Sequence, residues 1–386
     1  MFNKKEFGLV LAGGGTKGSY QVGCLKALKE LGINITSVVG SSIGSINAAL
    51  FVQGDIDLLE SLYYEVQMEN ILKLSDKNSL VVKDNLFTFK NVSRIINEYF
   101  SNTGVSNEPL KKLIDKYINT NKIYRSRKDF GLMTYDLKKV KGLGLFKEDI
   151  PRDNFKDYIL ASACFPIFKP QRIDDKLLLD GGLYDNMPMN MLIDKGYKNI
   201  ILIDVSGIGV LKKSKRNDIY YKIIKPDEYL GGTFDFNKNN VKKNIMLGYL
   251  DTMKVFHKLM GERFYFTKIE YLKLLYRFRV DEIRGLEEAG MIYKLDRYKT
   301  WKANEFIDEI IRRYNREWKE FNKIKLLSIS SIKELIKGNM SVSLCTKIID
   351  DFPTLLSTYK GRYSNYFLAS YAIQEAISQK KNKIFK

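Results

Sequence analysis

The stretch VVGSSIGSINAAL, residues 38–50, contains the pattern that decides the fold of this chain. It begins as an apolar strand, breaks at Gly40 and restarts after Gly44 as a helix of small residues. Ser42 stands at the centre of the G-x-S-x-G sequence between the two elements. Such an elbow presents a serine nucleophile, and the glycines on either side leave room for the neighbouring strand and helix. The pattern therefore predicts Ser42 as a nucleophile.

Short strands and helices alternate on both sides of this elbow. An apolar run at 7–12 leads to a glycine cluster and an amphipathic helix from Ser19 to Leu31, which a strand at 33–39 and a helix at 45–54 follow. Further strands are predicted at 129–137 and 141–146, and 176–182 is predicted to contain the end of a strand. The segment 190–207 predicts a helix, a glycine stop and a buried strand, and helices are predicted at 156–165 and over most of 55–128. Alternation with short connections predicts an α/β fold with a mostly parallel sheet.

The alternation of short strands and helices separated by glycines ends at about residue 206. The segments 242–266 and 302–321 predict long helices. We therefore expect two parts, a catalytic domain at 7–205 and a basic, mainly helical region at 206–386.

The segment AGGGTKGSY, residues 12–20, fits the pattern G-x-G-x-x-G at Gly13, Gly15 and Gly18. A dinucleotide site would need a carboxylate after the next strand, which instead ends in the serine elbow. A P-loop would need Lys-Ser or Lys-Thr after Gly18, where the chain has Ser-Tyr. The loop still presents backbone N–H groups at a helix N-terminus, which suits an anion such as a tetrahedral oxyanion. A non-catalytic nucleotide- or anion-binding module remains the alternative.

A serine nucleophile needs a base, and the chain contains a single histidine, His257. That residue lies in YLDTMKVFHKLM, a context typical of a helix surface. The best-placed carboxylate is Asp180, which ends a predicted strand and precedes Gly181 and Gly182. Two arrangements remain open at this point: a pair of Ser42 and Asp180, or a triad with His257 in the chain order of the α/β-hydrolases.

The motifs resemble, in their order, those of the patatin-like phospholipase family. The matching blocks are Gly13-Gly14-Gly15-Thr16-Lys17-Gly18, Gly40-Ser41-Ser42-Ile43-Gly44, ASACFPIFKP (161–170) and DGGLYDNMP (180–188). The resemblance covers roughly residues 7–205 and implies a three-layer fold with the sheet between helices. It implies a Ser42–Asp180 dyad without histidine and an oxyanion hole built from backbone N–H groups of residues 13–18.

The resemblance also implies an activity, that of a serine-dependent lipid acyl hydrolase acting on phospholipid or other acyl lipids through an acyl-enzyme. No cofactor is expected. A single histidine and no acidic cluster with calcium-loop spacing give no reason to expect a metal either.

Charge is unevenly distributed along the chain. Residues 1–210 have a net charge of +4 and residues 211–386 a net charge of +15, out of a total of +19. Basic and aromatic residues interleave at 263–279 and 312–325. Solvated lysines alone would account for this charge, but with a lipid-cleaving front half it predicts an anionic membrane surface as partner. Nothing resembles a nucleic-acid-binding motif, so no nucleic acid is expected.

The N-terminal apolar stretch is too short for a signal peptide, and no run approaches the roughly 20 residues of a membrane span. The three cysteines have no paired spacing, which fits a reducing compartment. The sequence therefore predicts a cytoplasmic protein in peripheral contact with membranes.

Overall fold

A computed structural model describes residues 5–71, 106–323, 332, 335–336 and 340–384. It divides into two compact units, Met1–Val255 and Phe256–Lys386. The helices predicted within 72–105 lie outside the described residues.

The first unit is built on an eight-stranded sheet. Its strands are β1 (Phe7–Leu11), β2 (Ile35–Ser41), β3 (Asp129–Asp136), β4 (Lys141–Phe146), β5 (Gln171–Ile173), β6 (Lys176–Asp180), β7 (Asn199–Ile203) and β8 (Tyr220–Ile224). The order across the sheet is β5-β6-β3-β2-β1-β7-β8, and β4 pairs with β3. The run from β3 through β2, β1 and β7 to β8 is parallel, whereas β4, β5 and β6 pair antiparallel.

Helices cover this sheet. They are α1 (Gly18–Glu30), α2 (Ile43–Val52), α3 (Ile56–Glu65), α4 (Glu108–Tyr117), α5 (Thr120–Arg125), α6 (Phe155–Ser162), α7 (Met189–Asp194) and α8 (Lys238–Val255). Val10, Val39 and Ile200 form one apolar cluster with residues of α7. Because successive strand residues point to opposite faces, Leu9 and Leu11 project to the other side, where they are also fully buried. The predicted α/β fold, a mostly parallel sheet flanked by helices, is confirmed.

Helices α1 and α8 cross at very close range. A Cβ on Gly23 would overlap the carbonyl oxygen of Ile245, and one on Gly248 would overlap that of Tyr20. Only glycine at both positions lets the two backbones approach this far. The amide of Asn244 in α8 also donates to the Ser19 hydroxyl of α1 at 3.2 Å.

The first compact unit ends at Val255, about 50 residues beyond the domain boundary predicted at residue 205. β8 adds a parallel strand to the edge of the sheet, and α8 packs on α1. No helix lies between β7 and β8, so the alternation of strands and helices along the sequence does not predict β8.

The second unit is mainly helical. Its elements are β9 (Leu259–Met260), β10 (Tyr265–Thr267), α9 (Lys268–Arg277), α10 (Val280–Ile292), β11 (Thr300–Trp301), α11 (Ala303–Phe321), α12 (Val342–Asp351), α13 (Pro353–Tyr359) and α14 (Ser364–Ile384). Its core is rich in aromatic residues. The ring centroids of Phe264 and Phe266 lie 4.9 and 5.2 Å from that of Phe306.

One predicted helix is right and another is wrong in its second half. The helix predicted at 302–321 is confirmed by α11. The one predicted at 242–266 ends at Val255, and short strands follow. The chain turns through positive φ at His257 (57°) and Gly261 (108°), which a helix cannot accommodate.

Within the described part of the chain, no helix combines the length and apolar character needed to cross a bilayer.

Candidate active site

Ser42 lies at a sharp turn between strand and helix. β2 ends at Ser41 and α2 begins at Ile43, and Ser42 between them has φ 53° and ψ −131°. A non-glycine residue with positive φ is strained, and such strain at a strand–helix turn is typical of a nucleophile elbow. The structure thus gives Ser42 the geometry that the motif predicts.

The two elbow glycines make this turn possible. A Cβ on Gly40 would overlap the carbonyl group of Gly44, and one on Gly44 would overlap the carbonyl oxygen of Leu11. Any side chain at either position would therefore push the serine turn away from the sheet.

Asp180 is held at the end of β6. Its backbone N–H donates to the carbonyl of Cys164 at 2.9 Å, and its Oδ1 accepts from the Gly182 N–H at 2.7 Å. The other oxygen, Oδ2, is buried and makes no hydrogen bond of normal length and angle with any described residue. The carbonyl of Gly181, the residue between Asp180 and Gly182, accepts from the backbone N–H groups of Tyr184 and Asp185 and so fixes the turn.

Ser42 and Asp180 are neighbours, and the environment of Asp180 favours its protonated form. Burial raises the pKa of Asp180 from 3.8 to about 6, because a desolvated carboxylate is disfavoured. The Ser42 hydroxyl and the Gly182 N–H act in the opposite direction and lower this pKa. The serine is thus close enough to influence Asp180 without forming a hydrogen bond of normal geometry, as is common in active sites without substrate.

The glycine loop passes directly beside Ser42. A Cβ on Gly13 would lie 2.9 Å from the Cβ of Ser42. The Gly13 N–H already donates to the Asn186 carbonyl at 3.1 Å, and the Thr16 N–H donates to the Thr233 carbonyl at 2.9 Å. The N–H groups of Gly14 and Gly15 have no acceptor among the residues described, and both glycines line the cavity that contains Ser42.

Residues 16–18 anchor this loop. The Thr16 hydroxyl donates to the Gly232 carbonyl at 2.9 Å, and the Lys17 ammonium donates to the Ser206 carbonyl at 3.1 Å. Burial lowers the pKa of Lys17, and the nearby Asp204 carboxylate opposes that effect. The Gly18 N–H donates to the carbonyls of Gly15 and Thr16. Among the six residues predicted for the oxyanion hole, the N–H groups of Gly13, Thr16 and Gly18 are therefore occupied, whereas those of Gly14 and Gly15 have no acceptor among the described residues.

A buried polar network ties both ends of the loop to the serine helix. The Gln21 amide donates to the Ala12 carbonyl at 2.7 Å, just before the loop. The Asn47 amide of α2 donates to Gln21 at 2.8 Å and to the Gly18 carbonyl at 3.1 Å, just after the loop. This network is not among the features predicted from the sequence. A single asparagine inside the apolar helix SINAAL is the signal that could have revealed it.

Asn186 also holds the glycine loop in place, through two hydrogen bonds to Gly13. Its backbone carbonyl accepts from the Gly13 N–H, and its side-chain amide donates to the Gly13 carbonyl at 3.2 Å. Its own N–H donates to the Val210 carbonyl at 2.7 Å. Asn186 therefore links the segment after Asp180 to the glycine loop.

Ser42 and Asp180 open onto an apolar cavity. The lining is dominated by aliphatic and aromatic side chains from α2, α3, α4 and the segments around Phe165 and Phe234. Among its described members are Ile46, Leu50, Leu59, Leu62, Val66, Leu110, Leu113, Ile114, Phe165, Phe168, Phe234 and Phe236. Ser42, Asp180, Asn186 and the glycine loop meet at one place in this lining. Its other polar members include Asn47, Tyr63, Tyr117 and Thr233. Such an arrangement suits an apolar ligand with one polar reacting group.

His257 belongs to the second unit and lies two residues beyond α8. All described residues that line the cavity at Ser42 belong to the first unit. The pairing that the structure provides within that unit is Ser42 with Asp180.

Comparisons with known proteins agree with these motifs. A family model described as patatin-like phospholipase matches residues 9–193. The chain is 30% identical over 210 residues to lysophospholipase NTE1 of Cryptococcus neoformans var. neoformans, a match that covers 53% of this chain and 11% of that protein. It is 28% identical over 200 residues to patatin-like phospholipase domain-containing protein 7 of Rattus norvegicus, covering 51% of this chain and 13% of that protein. The chain thus spans only a small part of the length of these relatives.

A solved structure, VipD from Legionella pneumophila, is 13% identical with a TM-score of 0.38, covering 96% of this chain and 91% of that one. A score of this size does not establish a shared fold. The assignment follows from the family match, which contains the glycine loop, the serine elbow and Asp180. Residues 9–193 of this chain are therefore a patatin-like phospholipase domain.

Proposed function

We propose that this protein is a serine-dependent lipid acyl hydrolase that cleaves fatty acyl esters of phospholipid or related lipids. The observation that carries the proposal is the meeting of Ser42 and Asp180 in the lining of a mainly apolar cavity. The apolar lining suits a fatty acyl chain, and the place where Ser42, Asp180 and the glycine loop meet suits the ester group. The similarity to proteins named phospholipase and lysophospholipase supports the same class of substrate.

The proposed reaction has two steps. The Ser42 oxygen attacks the ester carbonyl carbon while Asp180 Oδ2 takes the serine proton, and the carbonyl electron pair moves to its oxygen. The tetrahedral intermediate collapses, the alcohol leaves with the proton from Asp180, and an acyl-enzyme remains. Water then attacks the acyl carbon and gives its proton to Asp180. The collapse of this second intermediate releases the fatty acid and returns the proton to Ser42.

The available N–H groups of Gly14 and Gly15 are the proposed donors to the oxyanion. Removing one such donor in a serine hydrolase typically costs about 3 kcal/mol of transition-state stabilisation. The N–H groups of the neighbouring Gly13 and Thr16 already donate to backbone carbonyls, and those hydrogen bonds hold the loop in place. The network through Gln21 and Asn47 adds to this rigidity, so little reorganisation is needed when charge develops.

Asp180 is a weak base at its ordinary pKa, and two features compensate. Burial raises its pKa to about 6, which brings its proton affinity closer to what a base needs at neutral pH. The N-terminus of α2, which begins directly after Ser42, favours negative charge on the serine oxygen. Asp180 Oδ2 makes no hydrogen bond of normal geometry with a described residue, which leaves it able to accept the serine proton.

A pH profile tests the proposed base. Because Asp180 must be ionised to accept a proton, kcat/KM is expected to fall about tenfold per pH unit below about 6 and to level off above it. The measurement is hydrolysis of a non-ionising ester between pH 4.5 and 8, with the enzyme checked for folding at each pH. A rate that stays constant down to pH 4.5 would contradict a base with a raised pKa.

His257→Ala separates the dyad from the triad. The dyad predicts kcat/KM within about threefold of the unsubstituted protein, because no histidine takes part. A loss of several orders of magnitude, with the thermal unfolding temperature unchanged, would favour the Ser42–Asp180–His257 arrangement.

The function as a whole is tested by labelling and product analysis. A fluorophosphonate probe should modify Ser42 stoichiometrically, with the site read by peptide mass spectrometry. Incubation with a mixed lipid extract should release free fatty acids, identified by mass. If no serine is labelled and the protein instead binds a nucleotide saturably, the glycine loop serves a binding module and the hydrolase proposal is wrong.

The proposed partner beyond the substrate is an anionic membrane surface. A phospholipid substrate resides in an interface, so the enzyme must approach a bilayer before Ser42 can reach an ester. Each Lys or Arg near an anionic leaflet contributes about 1 kcal/mol to such binding. The net charge of +15 on residues 211–386 favours this approach.

A further inference from the structure

Helix α9, Lys268–Arg277, has apolar side chains on its solvent-exposed face. Ile269, Leu272 and Tyr276 are 69%, 54% and 92% exposed. Their spacing of three and four residues places them side by side on one face of the helix. The opposite face, which includes Leu274, is buried in the aromatic core of the second unit. A surface helix usually has a polar outer face, so α9 is unusual in being apolar on both sides.

Cationic side chains surround this exposed apolar face. Residues 268–279 contain four basic side chains and one acidic one. Lys273 pairs with Glu270 at 2.6 Å and Arg279 pairs with Glu282 at 2.8 Å, but the lysine and arginine side chains are 56% and 86% exposed. Exposed ion pairs of this kind contribute little and leave the cations accessible to other anions.

We propose that this face of α9, defined by Ile269, Leu272 and Tyr276 with Lys268 and Lys273 at its sides, docks on the surface of an anionic lipid bilayer. The apolar side chains enter the boundary between headgroups and acyl chains, and the lysines contact lipid phosphates. This inference rests on the proposed function, which makes lipid the substrate. It goes further by naming the element that contacts the bilayer.

The chemistry of the face favours a bilayer over a second copy of the chain. Apolar and aromatic residues bordered by lysines are typical of helices that lie in a membrane interface. In a symmetric dimer the same patch would face itself, and its excess of positive charge would be brought together. Anionic headgroups complement that charge instead.

Vesicle sedimentation tests the docking face. The triple variant I269S/L272S/Y276S is expected to bind phosphatidylcholine–phosphatidylglycerol vesicles at least tenfold more weakly than the unsubstituted full chain. The matched control is L211S/I223S, which changes two apolar residues that are 58% and 55% exposed elsewhere on the protein. We expect this control to bind within twofold of the unsubstituted protein. Binding should also weaken with salt and with removal of phosphatidylglycerol.

A fluorescent reporter tests insertion itself. Tyr276→Trp places an indole at the most exposed position of the face, and its emission is expected to shift to shorter wavelength when anionic vesicles are added. The chain's own two tryptophans provide the background, measured in the unsubstituted protein. An emission that does not move while the protein sediments with vesicles would overturn insertion by α9.

Hydrolysis of a soluble short-chain ester keeps the two proposals distinguishable. The triple variant should cleave such an ester at the normal rate, which also shows that it is folded. Vesicle binding unchanged in the triple variant would overturn the docking face and leave the hydrolase proposal standing. A dimer in solution that the triple variant abolishes would assign the face to a second copy and overturn the bilayer. Absence of ester hydrolysis in the unsubstituted protein would contradict the proposed function without affecting the vesicle result.

Discussion

Ser42→Ala is expected to reduce fatty acid release by about 10⁴- to 10⁶-fold, the range seen when a serine hydrolase loses its nucleophile. The alanine removes the only atom proposed to bond to the acyl carbon, and the oxyanion donors cannot replace it. Thermal unfolding should change little, because the hydroxyl forms no hydrogen bond of normal geometry with Asp180 Oδ2. The measurement is steady-state release from phospholipid vesicles, with fluorophosphonate labelling as a second readout.

Ser41→Ala is the matched control for this prediction. Ser41 is the adjacent residue, is fully buried, and has a hydroxyl without a hydrogen-bond partner among the described residues. Its replacement should leave turnover within about threefold and labelling of Ser42 intact. If Ser41 proves essential and Ser42 dispensable, the nucleophile has been placed one residue too late.

Asp180→Asn is expected to lower kcat by about 10⁴-fold, since the amide cannot accept the serine proton. Asp185→Asn is the control, because Asp185 is equally buried and burial raises its pKa to about 6 as well. Asp185 is absent from the described lining of the cavity, so its replacement should keep turnover within about tenfold. The double variant S42A/D180N should be little worse than either single one, because residues of one catalytic unit act non-additively.

Asp180→Asn should also leave the fold at least as stable. The folded-state pKa of about 6 lies above the ordinary 3.8, so the folded protein holds its proton more tightly than the unfolded chain. Stability therefore falls as pH rises from about 3.8 to 6, and above that window the ionised carboxylate destabilises the fold by about 3 kcal/mol. Asparagine has no charge to bury, so chemical unfolding at pH 7.5 should show a gain rather than a loss. A variant that loses both activity and stability would point to a structural role instead.

The sequence could predict the parts of this site that short-range patterns encode. A strand–glycine–serine–glycine–helix run specifies the elbow locally, and Asp180 follows a recognisable apolar strand. The order of β1, α1, β2 and α2 follows from the same alternation of apolar runs and glycine stops. These elements form where the sequence places them because their local preferences and their burial in the sheet agree.

Other features depend on contacts between distant residues. The Thr16 side chain forms hydrogen bonds with residues 232–235, which lie more than 200 positions further along the chain. No local sequence pattern predicts that contact. The occupation of the Gly13 and Thr16 N–H groups follows from such contacts. The break after Val255 is hidden for another reason. His257 takes a positive φ that its residue type does not signal, so the apolar periodicity continues through a point where the helix has ended.

The close crossing of α1 and α8 bears on how the first unit can be transferred between proteins. The family match ends at residue 193, and the relatives it matches are much longer chains. A piece transferred by recombination that stopped there would leave Gly23 and its neighbours on α1 without the helix that covers them, and Thr16 without its carbonyl partner. α1 begins where the glycine loop ends, so an uncovered α1 would loosen the proposed oxyanion donors. The contacts that cover α1 and anchor the glycine loop are therefore complete only in a piece that extends through the end of α8 at Val255.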